Sequence, residues 1–263
     1  MRIMFALFTA LVFAAFAAPA SAERIDLTYS GSAWGLIPLG GATLSVDYDH
    51  DSYSATGMVR TSGLAALFLP TRIDVNSGGD IRSGDVRWRR YYLDHMYDGV
   101  HRYITMRPSG ASVQADINPT YPEWGQPPTT DEQKANARDP LSSLIAMGVF
   151  VGENRRCEGD YLTFDGRWLY RLEMRGGEIE HREENGFIGD TLRCDLRYFP
   201  VAGFEPDDQG YRDPPPPGEV WFALLEGRRF APPVRASMPL PLGRANLALR
   251  RWSINGERQT ASN

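Results

Sequence analysis

Thr43-Leu44-Ser45-Val46-Asp47-Tyr48, then Asp49-His50-Asp51-Ser52, then Tyr53-Ser54-Ala55-Thr56-Gly57-Met58-Val59: this stretch decides the fold. Apolar and polar residues alternate on both sides of a short acidic segment. Two residues are the repeat of a strand with one buried face, and the Asp/Ser segment is turn chemistry. Outward from it the pattern recurs. Ile25 to Tyr29 precedes it, and Thr71 to Val75, Val86 to Leu93, Val100 to Met106 after Asp98-Gly99, and Ser112 to Ile117 follow. Gly78-Gly79 reads as a turn. Strands at roughly 10- to 14-residue spacing, broken by Gly, Asp and Ser, predict an antiparallel meander rather than β-α-β units.

The pattern breaks at residues 118–128, a Pro-rich surface loop. Residues 131–137 read as a solvated turn. A helix over 139–150 is then predicted, with Asp139 as N-cap and Pro140 in the first turn. Leu141, Leu144, Ile145, Gly148 and Val149 recur at three-and-four spacing, and the other face is Ser142, Ser143, Ala146 and Met147. A helix without a charged face is covered on most sides. Strands resume at Leu162 to Met174, Glu178 to Glu184 after a Gly176-Gly177 turn, Asp190 to Phe199, Glu219 to Leu225, Val234 to Leu240 and Arg244 to Ile254. The segment 207–218, with Pro214 to Pro217, reads as extended and exposed. The expected fold is mainly β: a strongly bent antiparallel sheet forming an incomplete barrel or β-spiral around one largely buried helix. It is expected to cover its edges against pairing with other chains.

Arg2, the apolar run Ile3 to Ala18 and Pro19-Ala20-Ser21-Ala22 have the order of a secretory signal cleaved after Ala22. The run is shorter than the roughly 20 residues of a spanning helix. The organisation expected is therefore a signal over 1–22, a single β-rich domain over 23–257 without a transmembrane segment, and a disordered tail over 258–263. A periplasmic address follows. Loss of Arg2 moves the formal net charge from −5 to −6, and this mildly acidic balance argues against a nucleic-acid partner. Cys157 and Cys194 would then face an oxidising compartment. A structural disulfide, closing about 37 residues and stabilising by about 4 kcal/mol, is the favoured reading. A redox pair or metal ligands are the alternatives.

Catalytic signatures are thin: no G-x-S-x-G, H-E-x-x-H, P-loop or G-x-G-x-x-G occurs. His50, His95, His101 and His181 lie in separate segments, although His95 and His101 flank a hairpin and would face each other. Asp47, Asp49 and Asp51 suggest a calcium loop, but the sixth and twelfth positions hold Ser52 and Met58, so a polar turn is the reading. On a regular strand Arg87, Arg89 and Tyr91 share one face, and Trp88, Arg90 and Tyr92 the other. Neither catalysis nor a cofactor or metal is expected.

Tyr29-x-Gly31-x-x-Trp34-Gly35-Leu36-Ile37-Pro38-Leu39-Gly40, Asp139-Pro140-Leu141-Ser142-Ser143-Leu144, Cys157 with Phe164-Asp165-Gly166-Arg167-Trp168-Leu169-Tyr170-Arg171-Leu172, and Cys194 occur in this order. Together they resemble the exported bacterial proteins of domain-of-unknown-function family 3108 over roughly residues 24 to 200. The resemblance implies a periplasmic β-rich protein, with looser similarity to half-barrel lipoprotein carriers and β-spiral envelope-integrity proteins. It implies no catalytic residues. On the residues alone, Asp165-Gly166 favours a tight turn with Arg167 paired to Asp165 or to a carboxylate on a neighbouring strand. Function is expected to be non-enzymatic binding or carriage of a lipid or lipoprotein acyl chain. Leu64, Leu67, Phe68 and Leu69 read first as a core-packed β-turn and secondly as a mobile lip of the ligand site, with Leu144 and Ile145 lining it. The rival expectations are an envelope scaffold with protein partners, or less readily an envelope hydrolase.

Overall fold

The computed structural model describes residues 22–63, 65–66, 70–97, 99–184, 186–205, 216–240 and 243–259. The expected signal, the lip residues Leu64, Leu67, Phe68 and Leu69, and most of the Pro-rich segment lie outside them.

Seven strands come first: β1 (Glu23–Ala33), β2 (Ile37–Tyr48), β3 (Ser52–Thr61), β4 (Thr71–Arg82), β5 (Asp85–Tyr97), β6 (Val100–Ser109) and β7 (Ser112–Asn118). Two helices follow, α1 (Asp131–Ala135) and α2 (Pro140–Asn154). Then come β8 (Gly159–Phe164), β9 (Leu169–Glu184), β10 (Phe187–Ala202), β11 (Gly218–Ala223), β12 (Pro233–Leu240), β13 (Gly243–Ile254) and the short β14 (Glu257–Arg258). All join one antiparallel sheet ordered β7-β6-β5-β4-β3-β2-β1-β13-β12-β11-β10-β9-β8, with β14 on β13. The sheet does not close on itself. Each half is a meander of sequential hairpins, and among the described strands the halves share a hydrogen-bonded ladder only where β1 pairs with β13, Ile25 opposite Ile254. The outer edge of β8 is partly occupied, because Arg138 N donates to Leu162 O at 2.9 Å and Phe164 N to Arg138 O at 2.8 Å.

Alternation buries one face, as at Ile25, Leu27 and Tyr29 on β1 and Leu44, Val46 and Tyr48 on β2. Those side chains belong to one apolar cluster with Ile145, Met147, Val149 and Val151 of α2 and Leu192, Trp221 and Phe222 of the other half. The helix is held on several sides. Tyr53 Oη lies 2.6 Å from Ser142 Oγ, Ser143 Oγ lies 2.8 Å from Thr163 Oγ1, and Ala231 N donates to Gly148 O at 2.9 Å. Glycine is required at 148: a Cβ there would sit 2.4 Å from the Phe230 ring. Cys157 and Cys194 are joined by a disulfide, Cα to Cα 5.5 Å.

Several local expectations are corrected. Gly78-Gly79 and Gly176-Gly177 are not turns but lie inside β4 and β9, each beside a β-bulge. The turn between β4 and β5 is Ser83-Gly84 instead. The expected strand Leu162 to Met174 is cut at 165–168 into β8 and β9, which pair with each other. His95 pairs with Arg102 rather than His101, whose Nε2 meets Asp94 Oδ1 at 2.6 Å. Of the tail expected over 258–263, Arg258 pairs back on β13 with Glu257 and Gln259 N donates to Trp252 O at 3.1 Å, while 260–263 lie outside the described residues. In the acidic turn, Asp49 Oδ1 accepts from Asp51 N at 2.8 Å and Ser52 N at 2.7 Å, a polar turn held by its own side chain.

Candidate functional site: an apolar cavity beside the helix start

The inward faces of β4, β5 and β6 supply one wall of a cavity of about 880 Å³. Period-two spacing places Thr71, Ile73 and Val75 of β4 in it, with Leu93, His95 and Tyr97 of β5 and Arg102 and Ile104 of β6. Register stacks these across the strands, Ile73 opposite His95 and Leu93 opposite Ile104.

Tyr91 joins this wall through a bulge. Gly78 pairs with Arg90 and Gly79 with Trp88, so Arg89 is the extra residue and the inward phase shifts by one. Trp88 and Tyr91 are therefore both buried, whereas Arg87, Arg89 and Arg90 are exposed. The regular-strand expectation of opposite faces for Trp88 and Tyr91 is corrected by that one residue. Gly79 lets the bulge seat, since a Cβ would come within 2.1 Å of Arg87 O.

The opposite wall is the first turn of α2, Pro140 and Leu141, with the β8–β9 turn Asp165, Arg167 and Trp168, and Tyr170 of β9. Asp165 Oδ1 accepts from Arg167 N at 2.9 Å and Trp168 N at 2.7 Å, which shapes the turn. Gly166, at φ +107°, presses against β6: a Cβ would lie 2.9 Å from Ile104 Cγ2. The Phe164-Asp165-Gly166-Arg167 motif thus docks one half of the sheet on the other. Arg167 Nη2 pairs with Glu205 Oε1 at 2.8 Å, a carboxylate outside the strands. The Arg102 and Arg167 guanidinium carbons lie 4.0 and 4.9 Å from the centre of the Tyr121 ring, placing two cations at one part of a mainly aromatic and aliphatic lining that also holds Thr61, Thr71, His95 and Asp165.

Burial sets the ionisation of this lining. Desolvation raises the Tyr91 and Tyr170 hydroxyls well above their ordinary value and raises Asp165, against the backbone donors that hold its charge. His95 is lowered by desolvation and then by Arg102. Behind the wall, Asp139 is fully buried at the α2 N-terminus. Its Oδ1 accepts from Ser142 N at 2.9 Å and its Oδ2 from Ser77 Oγ at 2.9 Å and from Ser142 Oγ. Desolvation nonetheless pushes its carboxyl up to about 6.

Of the expected ligand residues, Ile145 lies in the core and Leu144 packs against it, and neither lines the cavity. The helix instead offers Pro140 and Leu141, a turn earlier, where it meets the opening. Thr61 and Thr71, which flank the segment containing Leu64 to Leu69, do line it. Tyr91, Arg102, Tyr121, Trp168 and Tyr170 were not singled out as ligand residues; the alternation of large side chains along β5 was the available signal. No group of three or more potential metal-ligating side chains occurs among the described residues.

Fold and site together define a class: an open, single-sheet antiparallel β protein with one buried helix and an aromatic cavity beside that helix. No family model matches the chain, and no curated protein matches it. Among solved structures it is similar to a β-barrel-like protein of domain of unknown function DUF1849 from Brucella abortus. The two are 12% identical, the match covers 90% of this chain and 99% of that one, and the TM-score is 0.49. No residue role is carried over from it. No helix of the described residues is long and apolar enough to cross a membrane.

Proposed function

We propose that the protein is a non-enzymatic binder of an amphipathic ligand with an apolar body, such as a lipid or a lipoprotein acyl chain, held in the cavity beside α2. The observation that carries this reading is the lining: a volume of about 880 Å³ with Ile73, Val75, Leu93 and Ile104 on one wall and aromatic rings around it. That is a size and chemistry suited to small-molecule binding. Arg102 and Arg167 give a polar head a place to lie. In this reading the sheet is an incomplete barrel wrapped on α2, the leader delivers the chain to the periplasm, and the family resemblance is to domain-of-unknown-function family 3108.

Native mass spectrometry after gentle purification, together with uptake of a fluorescent fatty acid, tests it. The expected result is co-purified lipid and saturable uptake that Leu93→Trp, which fills the cavity, reduces by roughly tenfold. No lipid and no uptake by the unmodified protein would sink the reading. The rival scaffold role draws on the packed cluster joining α2 to β1, β2, β10 and β11, which makes the helix a permanent filler with partners outside.

A further inference from the structure

The two ends of the sheet differ in kind. At one end the described turns are polar: Asp49 to Ser52, Ser83-Gly84, Gly110-Ala111 and Asn255-Gly256. At the other, pairings run in series, Leu240 with Gly243, Ala33 with Ala245 and with Ile37, Gly40 with Thr61, and Thr71 with Tyr97. Hairpin tips along that rim expose large apolar side chains. Leu36 is 86% exposed, Met238 58% and Trp34 51%, with Ile37, Met96 and Val100 also exposed.

None of those tip residues is charged, and the whole run from 27 to 46 holds no charged residue. Cations stand just behind the rim: exposed Arg60, with no ion pair among the described residues, Arg72 beside Asp74, and Arg244 beside Glu219. Trp34, its ring lying against Gly243, is half-exposed and adopts a costly backbone conformation. Its φ is +50°, a left-handed conformation that Asn or Gly adopts more cheaply, and its N donates to Arg244 O at 2.9 Å. The cavity lining reaches this rim at Thr61, Thr71 and Tyr97.

We infer that this rim docks on the surface of a lipid bilayer bearing anionic headgroups. Separate protruding tips suit a fluid interface, which closes around each one, better than a protein partner, which would need one contiguous complementary face. Trp at the water–lipid boundary, an uncharged apolar tip over Trp34–Ile37, and arginines at phosphate depth are the features of interfacial insertion, and the one charge within the Met96–Val100 tip is Asp98. The inference stands independently of the cavity reading, because Leu36, Met238 and Trp34 do not line the cavity.

Flotation of the purified protein with phosphatidylethanolamine–phosphatidylglycerol vesicles, and with phosphatidylcholine vesicles alone, is the test. The expected result is binding to the anionic vesicles that Leu36→Asp and Met238→Asp each weaken by roughly tenfold or more. Ile188→Asp, an exposed apolar position at the opposite end, leaves binding unchanged, and Arg60→Gln weakens it only where phosphatidylglycerol is present. Circular dichroism identifies any misfolded variant; Leu36→Ser then takes the place of the aspartate. Failure of the unmodified protein to float, or equal losses from Leu36→Asp and Ile188→Asp, would overturn the inference. So would sedimentation showing that the tips instead join two copies of the chain. Fatty-acid uptake measured on Leu36→Asp without vesicles separates failure here from failure of the cavity reading.

Discussion

Asp139 carries two roles that pull against each other. It caps α2 through Ser142 N, and it is fully buried, with its carboxyl pushed from 3.8 to about 6 by desolvation. The folded state therefore binds a proton more tightly than the unfolded chain between those values, and this residue's contribution to stability falls as pH rises through them. The change amounts to roughly 3 kcal/mol at most. The expected outcome is that Asp139→Asn, which keeps the cap, flattens stability between pH 4 and 7 relative to the natural protein; urea midpoints across that range measure it. An identical slope in both proteins would remove Asp139 from the account. Gly166 makes a second single-residue prediction. Gly166→Ala introduces a Cβ against Ile104 at φ +107°, so a loss of about 1–3 kcal/mol in urea unfolding is expected. The Asp139 cap and Asp165-Gly166 turn were legible in the sequence, because both rest on chemistry within three residues. The partners Ser77, Ile104 and Glu205 were not, because nothing local encodes a contact across the sheet.

Among the elements, strands and the long helix were readable from period alone, since burial of one face writes itself directly into alternation. The bulges were not. Gly78-Gly79 looks the same in sequence whether it turns the chain or merely makes room for an extra residue opposite; only the length of the partner strand distinguishes them. The cost of that ambiguity falls on the site, because the Arg89 bulge is what turns Tyr91 inward. Gly79→Ala would push a methyl into the β5 backbone, 2.1 Å from Arg87 O and 2.7 Å from Trp88 Cα, where neither atom can yield cheaply. A destabilisation of about 2–4 kcal/mol is expected, with reduced fatty-acid uptake from a displaced Tyr91. Uptake and stability both unchanged would mean that the bulge does not set the wall.

At the scale of the whole molecule, the disulfide ties the segment after α2 to the middle of β10 across 37 residues. Replacing both cysteines by serine is expected to remove about 4 kcal/mol of stability, read as a lowered denaturant midpoint with a steeper slope, because the freed unfolded chain exposes more surface. An unchanged midpoint and slope would show that the bridge does not restrict the unfolded chain. The single-sheet architecture was only half legible: alternation announces strands and short turns announce neighbours, but which distant strands meet is a property of the closed sum.

That meeting, β1 against β13, fixes the order of assembly. Delivered from its first residue onward, the chain can zip β1 through β7, and later β8 through β12, yet the two ribbons have no ladder between them until residues 243–254 arrive. Completion of the sheet waits for residues 243–254, whatever machine hands the chain over. A chain stopped before Gly243 would hold its two sheet fragments together through α2 and the Gly166 contact rather than through a ladder, each with a raw edge open to the wrong partner.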